Sequence, residues 1–376
     1  MHTPLCETFG IQYPIVAFTP SEHVAAAVSR AGGLGVLGCV RFNDAAELDA
    51  VLDWMDANTD GKPYGVDVVM PSTVPTEGSS GDLSQFIPDE HRAFVDRTLR
   101  ELGVPELSKS SDGAGVLGWL HSVARAHVEV SLKHPITLIA NALGSPPRDV
   151  IEQAHACGVR VAALAGKAEH ARSHVDNGVD IVVAQGYEAG GHTGEIASMV
   201  LLPEIVDEVG DSVPVLAAGG IGSGRQIAAA LALGASGVWM GSYWLTTTEY
   251  LETMRGSTTM QDALVAATSS DTVRTRIFSG KPARLLKTRW TQAWEKPDAP
   301  EPLPMPLQNL LVGEAHQRIA ASHDPSVVAM PVGQIVGRMN SVRPVADVMS
   351  GLVREFDEAL ARLDKARLSR GALPRE

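Results

Sequence analysis

One imidazole closes a loop made almost wholly of glycine and small residues, Gln185-Gly-Tyr-Glu-Ala-Gly-Gly-His192-Thr-Gly194. Histidine is the side chain that most readily exchanges a proton near neutral pH, so His192 suits a general base. Gly190 and Gly191 let the backbone come close to a ligand and adopt φ values barred to other residues. A tight strand-to-helix turn whose histidine only caps the next helix explains the same residues, and the loop alone leaves both readings open. Two more glycine-rich stretches follow, Gly219-Gly220-Ile-Gly222-Ser-Gly224 and Gly241-Ser242. Backbone amides at the start of a helix favour an anion, and two such loops after adjacent late strands point to a phosphate site. The Gly-Lys-Ser/Thr ending of a triphosphate loop is missing, so a monophosphate cofactor such as FMN is expected. Glu188 could orient His192 or serve as a helix-end group, and it receives no catalytic role.

These loops need strands to carry them. Short apolar runs alternate with helical periodicity, as in a parallel sheet with crossover helices. The strands are read at Tyr13–Phe18, Leu34–Gly38, Tyr64–Met70, Ile136–Ala140, Arg160–Ala165, Asp180–Ala184, Val213–Ala218 and Gly237–Gly241. Helices are expected between them, among them Ser21–Arg30 with Ser21 as N-cap and Asp44–Asn58 with apolar Leu48, Val51, Leu52 and Met55. Eight strands with intervening helices predict an α/β fold, a (β/α)8 barrel, whose working groups gather at the C-terminal strand ends.

The expected organisation is a barrel over residues 1–250 with a helical insertion or lid at about 71–133, and a mostly helical extension over 251–376 that packs on the barrel. Within the insertion, Asp89–Leu102 and Trp119–Leu132 read as helices and Ser108–Gly113 as a turn. Beyond Thr246 the periodicity is helical, a Pro-rich linker spans Pro297–Pro306, and the last helix covers Val345–Leu368. The chain has 376 residues, 44% hydrophobic and 20% charged, enough for a large core. Its net charge of −13 argues against nucleic acid or an anionic membrane as partner. Cys6, Cys39 and Cys157 lack metal-ligand spacing and read as reduced thiols, so no metal site is expected. The N-terminus lacks a signal-peptide pattern and no apolar run is long enough to span a bilayer, which reads as cytoplasmic.

The chain resembles the nitronate monooxygenases, formerly 2-nitropropane dioxygenases, which are FMN-dependent (β/α)8 barrels related to flavin-dependent enoyl-acyl carrier protein reductases. Gln185-Gly-x-Glu-Ala-Gly-Gly-His192 carries the resemblance most specifically, supported by Ala217-Ala-Gly-Gly-Ile-Gly222 and Gly237-Val-Trp-Met-Gly-Ser242. It implies FMN held by the first-strand tip (Phe18, Thr19), by Asp67, by Gln185 with Gly190 and Gly191, by Gly219, Gly220 and Gly222, and by Trp239, Met240, Gly241 and Ser242. It also implies His192 facing the flavin as catalytic base. Two positions depart from the family pattern. Ala17-Phe-Thr-Pro20 stands where Gln-Ala-Pro-Met is common, and Asp67 stands where asparagine is common, which would put a charge near the flavin where the amide is neutral.

The expected reaction is oxidative denitrification of alkyl nitronates or nitroalkanes with molecular oxygen, His192 taking the α-proton. The alternative is reduction or dehydrogenation of a CoA or acyl-carrier thioester, whose phosphates Arg274, Arg276, Lys281, Arg284, Lys287 and Arg289 could meet; a solvated basic surface or internal ion pairs account for the same cluster. A flavin-binding protein without catalysis is disfavoured by the retained histidine. A homodimer is the assembly to test.

Overall fold

The computed structural model describes residues 1–70, 83–107 and 121–368. The expected turn at Ser108–Gly113 and the start of the second insertion helix lie outside these residues. Eight strands close into a parallel barrel: β1 (Ile15–Thr19), β2 (Leu34–Gly38), β3 (Tyr64–Asp67), β4 (Leu138–Asn141), β5 (Arg160–Ala165), β6 (Ile181–Gln185), β8 (Val215–Ala218) and β9 (Gly237–Met240), with β9 pairing back onto β1. The fold is the (β/α)8 barrel read from the sequence. Alternate residues face opposite sides of each strand. Val16, Val36, Leu138, Ala162, Val183, Leu216 and Trp239 fill the interior, while Ala17, Leu37, Val66, Val161, Val182 and Val238 meet the helical layer. By the same alternation Asp67 and Gln185, the last residues of β3 and β6, face the barrel mouth.

The third strand is shorter than the sequence suggests. It ends at Asp67, and Val68–Met70 leave the ladder after one last bond from Val68 N to the Ala140 carbonyl (2.8 Å). Asn141 then holds the departing chain, its side chain accepting from Met70 N (2.9 Å) and donating to the Met70 carbonyl (3.0 Å). Elsewhere the local chemistry matches the expected elements. Ser21 Oγ accepts from Val24 N to cap the helix Glu22–Arg30, and Asp44 caps Ala45–Asn58.

Two features of the region beyond Thr246 go beyond the sequence reading. This mostly helical region also holds a pair of antiparallel strands, β10 (Thr272–Thr275) and β11 (Ala283–Leu286). They form a three-stranded sheet with β7 (Gly191–His192), in the order β10-β11-β7. Each of the pair is only four residues long, too short to show a hydrophobic period in the sequence. The Pro-rich stretch is also not a free linker. The Glu301 carbonyl meets His91 Nε2 (3.0 Å) and Asp298 pairs with Arg97 (3.3 Å), which ties it to the helix Asp89–Glu101. That helix buries Phe94, Val95 and Leu99 in one cluster with Trp290, Trp294, Leu311 and Ile319. Insertion and C-terminal region therefore share a core.

Among the described residues no helix is long and apolar enough to cross a membrane. Cys6 and Cys39 are buried free thiols, and Cys157 is exposed.

The last helix, Val345–Leu368, buries Val348, Met349, Leu352 and Phe356 in the core shared by the helices Gly224–Ala232 and Glu22–Arg30. The approach is close enough that a Cβ on Gly224 would stand 2.0 Å from the Leu352 carbonyl oxygen and 2.2 Å from Phe356 N. Backbone cannot move aside as a side-chain tip can. Gly224→Ala is expected to cost about 2 kcal/mol or more, read as a lower denaturant midpoint, whereas alanine at Gly103, which has open space, costs only what its positive φ demands.

Candidate active site

His192 is placed by hydrogen-bonded backbone. β7 pairs antiparallel with β11 in a register that sets His192 opposite Ala283 and Gly191 opposite Arg284. The loop joining β10 to β11 then delivers Ser279, whose Oγ lies 2.6 Å from His192 Nε2. Ser279 is completely buried, so this contact is shielded from competing water. Phe278 sets its ring 6.4 Å from the imidazole, edge to face, and His316 stacks on the far side of Phe278 at 5.4 Å. Desolvation pushes the His192 imidazole down to about 4, helped by the ammonium of Lys281, and burial lowers His316 to about 4 as well. His192 is therefore neutral at physiological pH, the form a base needs.

The loop between β6 and β7 is clamped from two sides. Arg284, 2% exposed, donates from Nε and Nη2 to the Tyr187 carbonyl (3.2 and 3.0 Å) and lies 4.4 Å above the Tyr187 ring. Arg274 approaches the same ring at 5.8 Å and donates to the Thr193 carbonyl (3.2 Å). Arg276 bonds the Gly280 carbonyl (2.8 Å), and Arg289 lies 3.9 Å from Asp324. Of the basic cluster seen in the sequence, Arg284 is buried and Arg274 half-buried against this loop, whereas Arg276, Lys287 and Arg289 are exposed. Glu188 is a helix-end group: its carboxylate accepts from Ser198 N (2.9 Å) and Ser198 Oγ (2.8 Å) at the start of Ser198–Val209.

The residues expected around a flavin separate into two groups. Asp67, Gln185, Phe18, Trp239, Gly220 and Gly241 gather at the mouth. Phe18 stacks on Trp239 (6.1 Å, 17°), and a Cβ on Gly241 would make only ordinary contact with Phe18 at 3.6 Å. Gly219 and Gly220 turn the chain at φ +97° and +73°. Asp67 is 2% exposed, and burial lifts its carboxyl to about 7. The charged aspartate anticipated from the sequence is accordingly close to half protonated at neutral pH. Neither the Asp67 nor the Gln185 side chain has a hydrogen-bond partner among the described residues.

Other expected contacts are occupied. The Met240 side chain points into the helical layer, and its carbonyl accepts from Trp244 Nε1 (2.8 Å). Thr19 Oγ1 accepts from Ser21 N (3.1 Å). Gly190 is a glycine because the Val332–Gly333 backbone would come within 2.7 Å of a Cβ there. Gly191 takes φ +74° in turning the loop into β7. Ser242 Oγ accepts from Gly333 N (2.9 Å), which leaves its own proton to donate. The helix start at Gly222–Gly224, read as an anion site, already holds one. Gly224 N donates to the Glu355 carboxylate (3.0 Å) and Gly222 N to Gln226 Oε1 (3.0 Å). A phosphate is left with Gly220 and Gly241–Ser242.

Two unpartnered polar side chains at the mouth, an aromatic platform and an open glycine cradle fit a flat heterocycle that needs hydrogen bonds along one edge. The comparisons agree with that geometry. The family model for nitronate monooxygenase matches residues 2–355. The chain belongs to the nitronate monooxygenase family. This is a flavin-dependent family of oxidoreductases acting on small-molecule substrates. The chain is 48% identical to "Putative monooxygenase Rv1533" of Mycobacterium tuberculosis, over 96% of this chain and 98% of that one. Among solved structures it is similar to nitroalkane oxidase from Streptomyces ansochromogenes (TM-score 0.78, 29% identity, 96% and 99% covered). It is also similar to FabK from Thermotoga maritima (TM-score 0.72, 25% identity, 97% and 99% covered).

Ser279, Phe278 and His316 were not singled out from the sequence of this nitronate monooxygenase family member. They stand about ninety residues or more from His192 in the chain; the β7–β11 pairing brings Phe278 and Ser279 near, and the helix Leu307–Ala321 brings His316 onto Phe278. Replacing Lys281 by Gln is expected to raise the His192 pKa from about 4 toward the ordinary imidazole value, followed by NMR of the labelled ring. Because the folded value lies below the unfolded one, His192 stabilises the fold above about pH 6.5 and this contribution is lost as the pH falls through 4. The Lys281→Gln protein should therefore lose less stability than the wild type on acidification across that window.

Proposed function

We propose that the protein is an FMN-dependent monooxygenase that denitrifies alkyl nitronates and nitroalkanes with molecular oxygen, and that His192 is its general base. The observation that carries this reading is the neutral imidazole of His192, held beside Ser279 at the mouth where Asp67 and Gln185 face inward. Phe18, Trp239 and Gln185 would meet the flavin ring, with Asp67 at its edge. Gly219, Gly220, Gly241 and the Ser242 hydroxyl would hold the phosphate.

A nitroalkane α-proton would pass to the His192 ring. With Nε2–H donating to Ser279 Oγ, Nδ1 would carry the lone pair that takes the proton, and the same bond would persist in the charged ring, so the ring keeps its orientation. The low basicity of His192 means that the proton is held only while the neighbouring anion persists, and Lys281 helps to balance that anion. Phe278 and the cluster behind it exclude water from the same side. FMN, when bound, supplies the redox chemistry between the substrate anion and oxygen.

The likeness to FabK favours a second reading, a flavin-dependent reductase or dehydrogenase of an acyl thioester. The engagement of Arg274 and Arg284 with the loop backbone weighs against it, since these two members of the expected phosphate-binding cluster are committed within the fold.

His192→Asn is expected to lower kcat/KM for neutral nitroalkanes by roughly 10²–10⁴-fold while pre-formed nitronate is still turned over and FMN stays bound. Undiminished nitroalkane turnover would remove His192 from the role of base. Anaerobic mixing separates the two reactions: the flavin spectrum should bleach with nitronate and respond slowly to NADH and NADPH. Fast bleaching by a nicotinamide with no response to nitronate would establish the thioester reading instead.

A further inference from the structure

Asp67 is a buried carboxyl with no side chain to pair with among the described residues. It ends β3 facing the barrel mouth, 2% exposed. Gly38 on β2 and Ala140 on β4 stand opposite it in the ladder, and neither brings a polar side chain. The turn that follows β2 brings Cys39, buried and pushed up by desolvation and by Asp67 itself, and Arg41, whose guanidinium is bonded to Glu22 at 2.6 Å. Glu22 is itself the charge that the helix Glu22–Arg30 brings to this side, and Asn141, next along β4, is neutral and committed to Met70. Among the described residues no cation balances the carboxylate, and burial accounts for its raised pKa of about 7. Such a group either keeps its proton or finds a donor.

A bound flavin would change this balance in one direction. Covering Asp67 with a heterocycle removes its remaining water, and the phosphate adds negative charge to the same mouth. A protonated carboxyl offers one donor and one acceptor, the same pair that a carboxamide offers, whereas the carboxylate can only accept. The cofactor's ring edge alternates acceptors with a donor, so the neutral acid can satisfy two of its groups and the anion one. We propose that Asp67 keeps its proton in the flavin-bound protein and donates a hydrogen bond to the heterocycle, so that taking up FMN also takes up a proton. This rests on the FMN reading above. Asp67 thereby acts as a pH-linked ligand to the cofactor, and release of FMN is favoured as the medium becomes alkaline.

The test is FMN binding itself, followed by flavin fluorescence at fixed salt from about pH 5.5 to 9 for the wild type and for Asp67→Asn. Above neutrality the wild-type Kd should climb toward about tenfold per pH unit, while the variant keeps only the weak dependence due to the FMN phosphate, which both proteins share. Calorimetry of FMN binding to the wild type in two buffers of different ionisation enthalpy should show uptake approaching one proton at alkaline pH, and this measurement needs no variant. Absence of proton uptake, or the same pH dependence in Asp67→Asn, would overturn the proposal and leave the cofactor reading standing. Failure of FMN to bind at any pH would overturn both.

Discussion

The site depends on a two-residue strand. β7 is the least stretch of sheet that can exist, yet its pairing with β11 fixes His192 against Ser279 and seats Gly191 opposite Arg284. A glycine-rich loop has many conformations in the unfolded chain, and two ladder positions alone do not offset the cost of ordering it. Arg284 supplies the difference. Its buried guanidinium is paired with the Tyr187 carbonyl, the Tyr187 ring and Thr272 Oγ1, so the charge cannot leave the interior without the loop opening. Two of the residues that first look like a surface for an anionic carrier, Arg274 and Arg284, are instead the means by which the C-terminal region grips the loop of His192.

Burial acts on the two titratable groups of the mouth in opposite directions with one result. It lowers the imidazole of His192 to about 4 and raises the carboxyl of Asp67 to about 7, and each shift moves the group toward its neutral form. A mouth that disfavours charge on both groups would suit chemistry in which the substrate itself becomes the anion. The same economy of charge shows at the helix starts. Glu355 fills the N-terminus of Gly224–Ala232 and Glu188 that of Ser198–Val209, so protein carboxylates already occupy positions that a phosphate could have used. What remains for a phosphate is the pair of amide-rich turns that end β8 and β9.

The C-terminal region completes the barrel as well as covering it. The backbone at Val332–Gly333 crosses Gly190 so closely that a side chain there has no room, and Gly333 N takes one lone pair of Ser242 Oγ. Gln334 N bonds the Glu188 carbonyl (2.9 Å) in the same crossing. One segment thus touches the loop of His192 and the loop after β9 together, which ties the two loops to each other through backbone.

The sequence by itself determined the barrel and the place of His192 on the loop after its sixth strand. Strand periodicity, glycine-rich loop ends and N-caps such as Ser21 and Asp44 are local, so the residues that encode them are neighbours in the chain. The inward direction of Asp67 and Gln185 follows from the same alternation once the strands are placed. Tertiary structure alone decided the rest. Ser279 and Phe278 come to His192 through short strands whose pattern is too brief to read, His316 joins them by packing from the helix Leu307–Ala321, and the fates of the arginines depend on which backbone carbonyl folding sets before them. Whether a glycine serves a ligand or a crossing chain, and whether a carboxyl near neutral pH is charged, are questions of distance and desolvation, which have no counterpart in the order of the residues.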